Sequence, residues 1–291
     1  MKSRVSPYDR ITERIINLLE SGVCPWRRPW NQSNLRPQNF DSKHLYQGIN
    51  FFLLECMGFD LPVFLTFRKV KAMGGSVRKG SKGIPIVFWG TWKLQDPRGD
   101  ETEVPKKIPF LKHFTVFNAA HIEGIDFPEP EDVQVYEFNP ISRADDILAS
   151  WGDRPEIHAN RKFAAYDPIK DLIFMPPESR FQSPESYYAT LFHEMGHATG
   201  APHRLNREKG NFGDEQYSRE ELVAEMTSAF LCEECRIDNS TLENSAAYLG
   251  GWIKALKGNS KMVIQAASQA QKAANYILGI NSSCSDKKMS A

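Results

Sequence analysis

His193-Glu194-Met195-Gly196-His197 sets two imidazoles four residues apart with a carboxylate between them, the H-E-x-x-H spacing. On a helix, residues i and i+4 share a face, so both rings can direct a nitrogen at one ion. Glu194 lies about 100° round the helix from His193, toward the coordination position that the histidines leave open. There it can take a proton from water whose pKa the ion has lowered to about 7. The pattern supports metal-assisted hydrolysis.

The element that must position these residues is legible around them. Ser183-Pro184-Glu185 reads as a helix start and Gly200 followed by Pro202 as its stop, so the helix runs from Pro184 to Thr199. A short buried strand, Leu172 to Pro176, precedes it and is expected to form the upper edge of a cleft, where an extended chain could add as a strand. A catalytic zinc site takes three protein ligands plus water, so a third ligand is needed. His203 completes H-E-x-x-H-x-x-G-x-x-H. Glu221 and Glu225 share a face of a long helix that begins near Ser218 and runs to Cys235. Glu221 is the first choice, with Glu225 one turn on in the layer behind the ligands. His203 and Glu225 stay open as alternatives, and Ser218 with Glu221 also reads as a capping box.

The 291 residues suffice for two modest domains, and 41% hydrophobic with 25% charged residues is ordinary for a globular chain. No apolar run approaches the ~18 residues of a membrane span, and the N-terminus leads into an amphipathic stretch, not a signal peptide. Five scattered cysteines argue against a disulfide framework and for a reducing cytoplasm. Cys232 and Cys235 have C-x-x-C spacing but lie in a helical pattern without a second pair, and are read as small helix residues.

The zero net charge hides an asymmetry. Residues 1–112 hold 19 Lys and Arg against 10 Asp and Glu, whereas residues 113–291 hold 17 against 26. In the basic half, an amphipathic helix from Tyr8 to Glu20 is followed by Pro25-Trp26-Arg27-Arg28-Pro29-Trp30, which interleaves rings and cations. Arg78, Lys79 and Lys82 lie in a glycine-rich turn before a strand that starts at Ile84. Cations neutralise phosphates and rings stack on bases, the needs of a sequence-tolerant single-strand binder. The acidic, proline-rich stretch from Phe127 to Pro140 reads as a linker. The expected organisation is a first domain over 1–126, a linker over 127–140, a metal-binding domain over 141–280 and a disordered tail over 281–291.

The chain resembles the ArdC-type antirestriction family, which includes the N-terminal region of TraC-type conjugative primases. In the first half the resemblance rests on Pro25-Trp26, Pro29-Trp30, Tyr46-Gln-Gly-Ile-Asn50, Leu65-Thr-Phe67, Gly74-Gly75, Val77-Arg-Lys-Gly80 and Val116-Phe-Asn118. In the second it rests on the H-E-x-x-H motif, Thr199-Gly200, Arg204-Leu205 and Tyr217 to Glu225. It implies an α+β protein with an N-terminal single-stranded-DNA-binding domain and a C-terminal zincin-like metallopeptidase domain. It further implies a role in plasmid conjugation, in both donor and recipient cytoplasm, shielding DNA from restriction enzymes. It favours His193, His197 and Glu221 as ligands of one divalent metal, zinc or alternatively manganese, with Glu194 as the catalytic base. The expected DNA-contacting set is Trp26, Arg27, Arg28, Trp30, Tyr46, Asn50, Arg78, Lys79 and Lys82. Single-stranded DNA is the expected partner, with double-stranded DNA not excluded. The alternative is an active protease that cleaves a protein such as a restriction-enzyme subunit.

Overall fold

Ser6 starts helix α1 (Pro7–Glu20) by accepting the Asp9 amide on its hydroxyl at 3.1 Å, with Pro7 in the first turn where no N–H is needed. Ile11, Ile15 and Leu19 fill the inner face of the helix and are almost wholly inaccessible. The computed structural model describes residues 6–27, 35–93, 107–128, 140–159, 161–207, 215–237 and 246–280. After α1 come β1 (Gln38–Asn39), α2 (Ile49–Glu55), β2 (Val63–Thr66), α3 (Phe67–Ala72), β3 (Ser76–Val77), β4 (Ile84–Lys93), β5 (Lys107–Asn118) and β6 (Ile122–Glu123). Four of these strands make a sheet in the order β1-β2-β5-β4, with β1 parallel to β2 and the other pairs antiparallel. β3 and β6 form a separate ribbon, and β4 with β5 a long hairpin in the register Ile84 to Val116.

The second half contains α4 (Pro140–Ser150), β7 (Glu156–His158), β8 (Ala165–Asp167), β9 (Leu172–Phe174), α5 (Pro184–Ala198), α6 (Glu215–Cys235), α7 (Ala246–Gly258) and α8 (Met262–Ile277). The three strands form a sheet in the order β7-β9-β8. The strand expected at the cleft edge, β9, is therefore the central one, and β8 is the edge beside α5. A residue pattern marks a buried strand without giving its place in the sheet. Helix α6 starts three residues before Ser218, which excludes a capping box between Ser218 and Glu221. Leu222, Val223, Met226, Ala229, Leu231, Cys232 and Cys235 are all inaccessible along it, so α6 is buried nearly all round. Cys232 and Cys235 are free thiols in that core, in line with their expected role as small helix residues.

The two halves share one core. A single apolar cluster includes Ile11, Ile15, Trp26, Phe51 and Phe52 from the first and Leu191, Phe192, Met195, Phe230 and Ala267 from the second. The Phe52 and Phe230 rings lie 4.7 Å apart, and the Thr12 hydroxyl donates to the Ser260 carbonyl at 2.7 Å. Residues 129–139 of the expected linker, and the expected tail, lie outside the described residues. No helix among the described residues is long and apolar enough to cross a membrane.

Candidate metal centre

Helix α5 is started by a reciprocal capping box, in which Ser183 and Ser186 each accept the other's backbone amide on a hydroxyl. This fixes the register that turns His193 and His197 toward α6. Gly196 decides how near α6 can come. A Cβ there would stand 3.0 Å from Ala224 Cα and 3.2 Å from Thr227 Cβ, so any larger residue requires α6 to give by a few tenths of an ångström or more. Glu221, about one turn before Ala224, is thereby brought under the two imidazoles.

His193 Nε2 and His197 Nε2 lie 3.1 Å apart. The Glu221 carboxylate reaches them at 3.7 and 3.5 Å. One ligand atom from each of the three residues falls within a 4.8 Å sphere of separations, and all three side chains are partly exposed. Two nitrogens bound at about 2.0–2.1 Å to a tetrahedral ion sit roughly 3.3 Å apart. The spacing and the N, N, O donor set fit one divalent ion with a position left for water.

Each imidazole has a carboxylate behind it. His197 Nδ1 lies 3.6 Å from Glu220 Oε1, and Glu220 is gripped by Arg207 at 2.6 and 3.0 Å. Burial opposes a charge on His197, but Glu220, Glu221 and Glu194 outweigh it and raise its pKa. Burial pushes Glu220 upward, and Arg207 with His197 more than offsets this, leaving it lowered. Arg207 also donates to the Gly196 carbonyl and the Thr199 hydroxyl, tying its loop to the end of α5. On the other side, His193 Nδ1 is 3.9 Å from Glu225 Oε1, and Glu225 takes a two-pronged ion pair from Arg27. Glu225 thus lies behind His193, on the side away from Glu221. Glu220, Arg207 and Arg27 were missed behind the imidazoles. Glu220 differs from Glu221 by one residue, and neither arginine lies on a helix of the motif.

A cleft of about 430 Å³ opens onto this cluster, with Ala165, Tyr166 and Pro168 on one wall and Tyr217, Glu220 and Glu221 on the other. Glu194, 8% exposed, lines the same cleft, and its Oε2 accepts the outward N–H of Tyr166 from edge strand β8 at 2.8 Å. Tyr166 is anchored in turn by its hydroxyl, which donates to Asp171 at 2.7 Å, and Arg204 holds Asp171 at a pKa of about 2. Tyr217 was also missed. Four residues before Glu221 on α6, it shares that face, and burial followed by the charge of Glu221 raises its pKa.

His203 is not part of the cluster. It is 56% exposed and turned to Asp171 at 3.3 Å, which removes it as the alternative third ligand. Several residues expected on DNA are engaged in the fold instead. Trp26 is fully inaccessible in the shared core, Arg27 is buried against Glu225, and Tyr46 is buried beside Phe64. Asn50 spends both ends of its amide on Val87, donating to its carbonyl at 2.7 Å and accepting its N–H at 2.8 Å, which pins α2 to β4. A ring sunk in the core cannot stack on a base, a guanidinium spent on a buried carboxylate has little left for a phosphate, and an amide with both ends on Val87 has none left for DNA, so the structure removes these four from the expected DNA-contacting set. Arg78, Lys79 and Lys82 are exposed, and Arg78 is paired with Glu123 at 3.0 Å. Arg28 and Trp30 lie outside the described residues.

Residues 6–117 match the N-terminal domain of anti-restriction factor ArdC, and residues 142–269 match a zincin-like metallopeptidase. DNA primase TraC of Escherichia coli is 34% identical over 289 residues, covering 93% of this chain, which spans only 27% of that primase. Protein y4eC of Sinorhizobium fredii, which is uncharacterized, is 33% identical over 282 residues, covering 93% of this chain and 91% of its own. The crystal structure of antirestriction protein ArdC from plasmid R388 in metal-free form is 36% identical, with a TM-score of 0.74, covering 94% of this chain and 97% of that one. Its Mn(II)-bound form is 34% identical at the same TM-score, covering 96% and 100%. With both domains present and a relative aligned over nearly its full length, the chain belongs to the ArdC family of antirestriction proteins.

Proposed function

We propose that the protein binds single-stranded DNA through its N-terminal half, guards it from restriction endonucleases during plasmid transfer, and holds one divalent metal on His193, His197 and Glu221. The observation that carries the DNA reading is an exposed ring set among exposed cations. Phe67 is 52% exposed at the start of α3 and packs on Phe117, whose ring also closes on the backbone at Gly83. Arg68, Lys79 and Lys82 on this surface are exposed and have no ion-pair partner among the described residues. Cations for phosphates beside a ring for a base are what a single strand requires. Phe67 and Arg68 thus take the place of the buried Trp26 and Arg27.

The test is a salt titration of oligonucleotide binding. Changing Arg68, Lys79 and Lys82 together to alanine should weaken affinity and flatten the dependence on salt by about 0.7 for each phosphate no longer neutralised. Phe67→Ala should cost roughly 1–3 kcal/mol of stacking with little change in slope. A triple variant with wild-type affinity and slope would place the DNA elsewhere.

A second reading, that the centre is a working peptidase, is favoured by Glu194 beside the three ligands. A structural zinc site is closed by four protein ligands and needs no base. A divalent ion there lowers the pKa of water and polarises a carbonyl. The Tyr166 amide keeps the Glu194 carboxylate on the cleft side, where it can accept a proton from the attacking water and pass it to the leaving amine. Edge strand β8 borders that cleft, so an extended polypeptide lying there would run beside it, with the Tyr166 N–H kept for Glu194. Glu194→Gln should keep metal content and DNA affinity while abolishing any hydrolysis. If it protects DNA from restriction as well as wild type does, protection is occlusion; loss of protection with DNA binding intact makes proteolysis the mechanism.

A further inference from the structure

The two carboxylates behind the imidazoles are matched in space but not in origin. Glu220 is held by Arg207, from the same half of the chain. Glu225 is held by Arg27, 198 residues away in the segment that matches the ArdC N-terminal domain. We infer that Arg27 is a positioning residue of the metal centre, so that the N-terminal half supplies a part of the outer layer that the C-terminal half lacks. This rests on His193, His197 and Glu221 being the metal-holding set.

Glu225 is 6% exposed and the Arg27 side chain 9%, so neither charge is compensated by solvent. A buried carboxylate without its cation is an uncompensated charge that the surrounding structure must move to relieve. The guanidinium fork grips both carboxylate oxygens, which fixes the plane of the group as well as its place. That plane sets Oε1 opposite Nδ1 of His193. A carboxylate on that side favours the proton on Nδ1 and leaves the Nε2 lone pair for the ion. Arg27 is itself held in place. Its amide donates to the Cys24 carbonyl at 3.0 Å, and the preceding Trp26 is wholly sunk in the shared core. At 3.9 Å Glu225 acts on His193 through its charge rather than through a hydrogen bond, so a shift of this turn that moves Glu225 changes the field at Nδ1, and by linkage metal binding favours the turn as it stands.

The experiment measures Mn(II) affinity of the full chain by electron paramagnetic resonance, with melting of the metal-free chain alongside. Arg27→Met should weaken Mn(II) binding by about tenfold to a hundredfold, the usual effect of removing an outer-layer partner. Arg27→Lys should recover part of it. Arg27→Met combined with Glu225→Leu removes the stranded charge and should regain stability without regaining affinity; a merely structural pair would regain both. Arg143→Met, which breaks the more exposed pair with Glu234, should leave affinity within about twofold of wild type. The inference is overturned if folded Arg27→Met, or the double variant, binds Mn(II) within twofold of wild type. It also falls if Arg143→Met weakens binding equally. If wild type binds no Mn(II), or His193→Ala binds it normally, the underlying site assignment falls. Loss of binding in His193→Ala with wild-type affinity in Arg27→Met removes only the role of Arg27.

Discussion

Glu221→Ala should leave a folded chain that no longer retains the metal. The substitution removes the carboxylate from the proposed His193, His197 and Glu221 cluster, where it lies 3.5 and 3.7 Å from the two imidazole nitrogens. At about 4 Å and an effective dielectric near 20, even a single pair of unit charges attracts by roughly 4 kcal/mol, and a divalent ion attracts more strongly. The expected loss is at least about a thousandfold in affinity. Folding of the metal-free chain should not suffer, because the change relieves a crowd of carboxylates formed by Glu194, Glu220 and Glu221 around one cleft. The measurement is a pair of thermal melts for each variant, with and without Mn(II). An ion at a hundred times its dissociation constant stabilises wild type by about 2.7 kcal/mol, and this gain should vanish in Glu221→Ala. A variant that keeps most of the metal-dependent shift would make another residue the third ligand.

Gly196→Val should damage both the fold and the site. In the middle of a helix a glycine is a weak choice, and a residue with a Cβ would gain about 1 kcal/mol or less in propensity. Here the first added carbon would stand 3.0 Å from a backbone atom of Ala224, and valine adds two methyls beyond it. Backbone cannot turn aside as a side chain can, so α6 must retreat. Overpacking of this kind costs about 1–3 kcal/mol, and the retreat carries Glu221 away from His193 and His197. Urea unfolding of the metal-free chain should show the first effect and Mn(II) titration the second. Full stability with unchanged affinity would mean that the approach of the two helices does not set the site.

How much of this could be read from residues alone depends on the range of the interaction. The H-E-x-x-H helix, its Ser183 cap and the shared face of Glu221 and Glu225 follow from helical spacing, and the three-residue cluster follows once α6 is laid beside α5. His203 fits a longer pattern and so stays an alternative in the sequence, and the turn that points it at Asp171 takes it away from the cluster. Trp26 and Arg27 look alike in sequence whether they face solvent or a core, and Tyr46 and Asn50 were expected on DNA through the family resemblance, which marks residues kept for the fold as readily as residues kept for a partner. Burial is a property of what packs against a residue; Trp26 is sunk in a core drawn from both halves, and the partner of Arg27 comes from the far half of the chain. The place of β8 at the cleft escaped for a related reason, since a three-residue strand carries too little pattern to specify its neighbours.

The core that runs through both halves bears on how such a chain can be inherited. A gene fusion or truncation that broke between residues 117 and 142 would leave Phe51 and Phe52 without Phe230, and Glu225 without Arg27. Each fragment would expose an apolar face that aggregates or is degraded. Exchange of one half alone would therefore have to replace these contacts as well, even though each half corresponds to its own domain family. TraC carries the counterpart of 93% of this chain within about a quarter of its own length, a span that includes both halves and so both sides of these contacts.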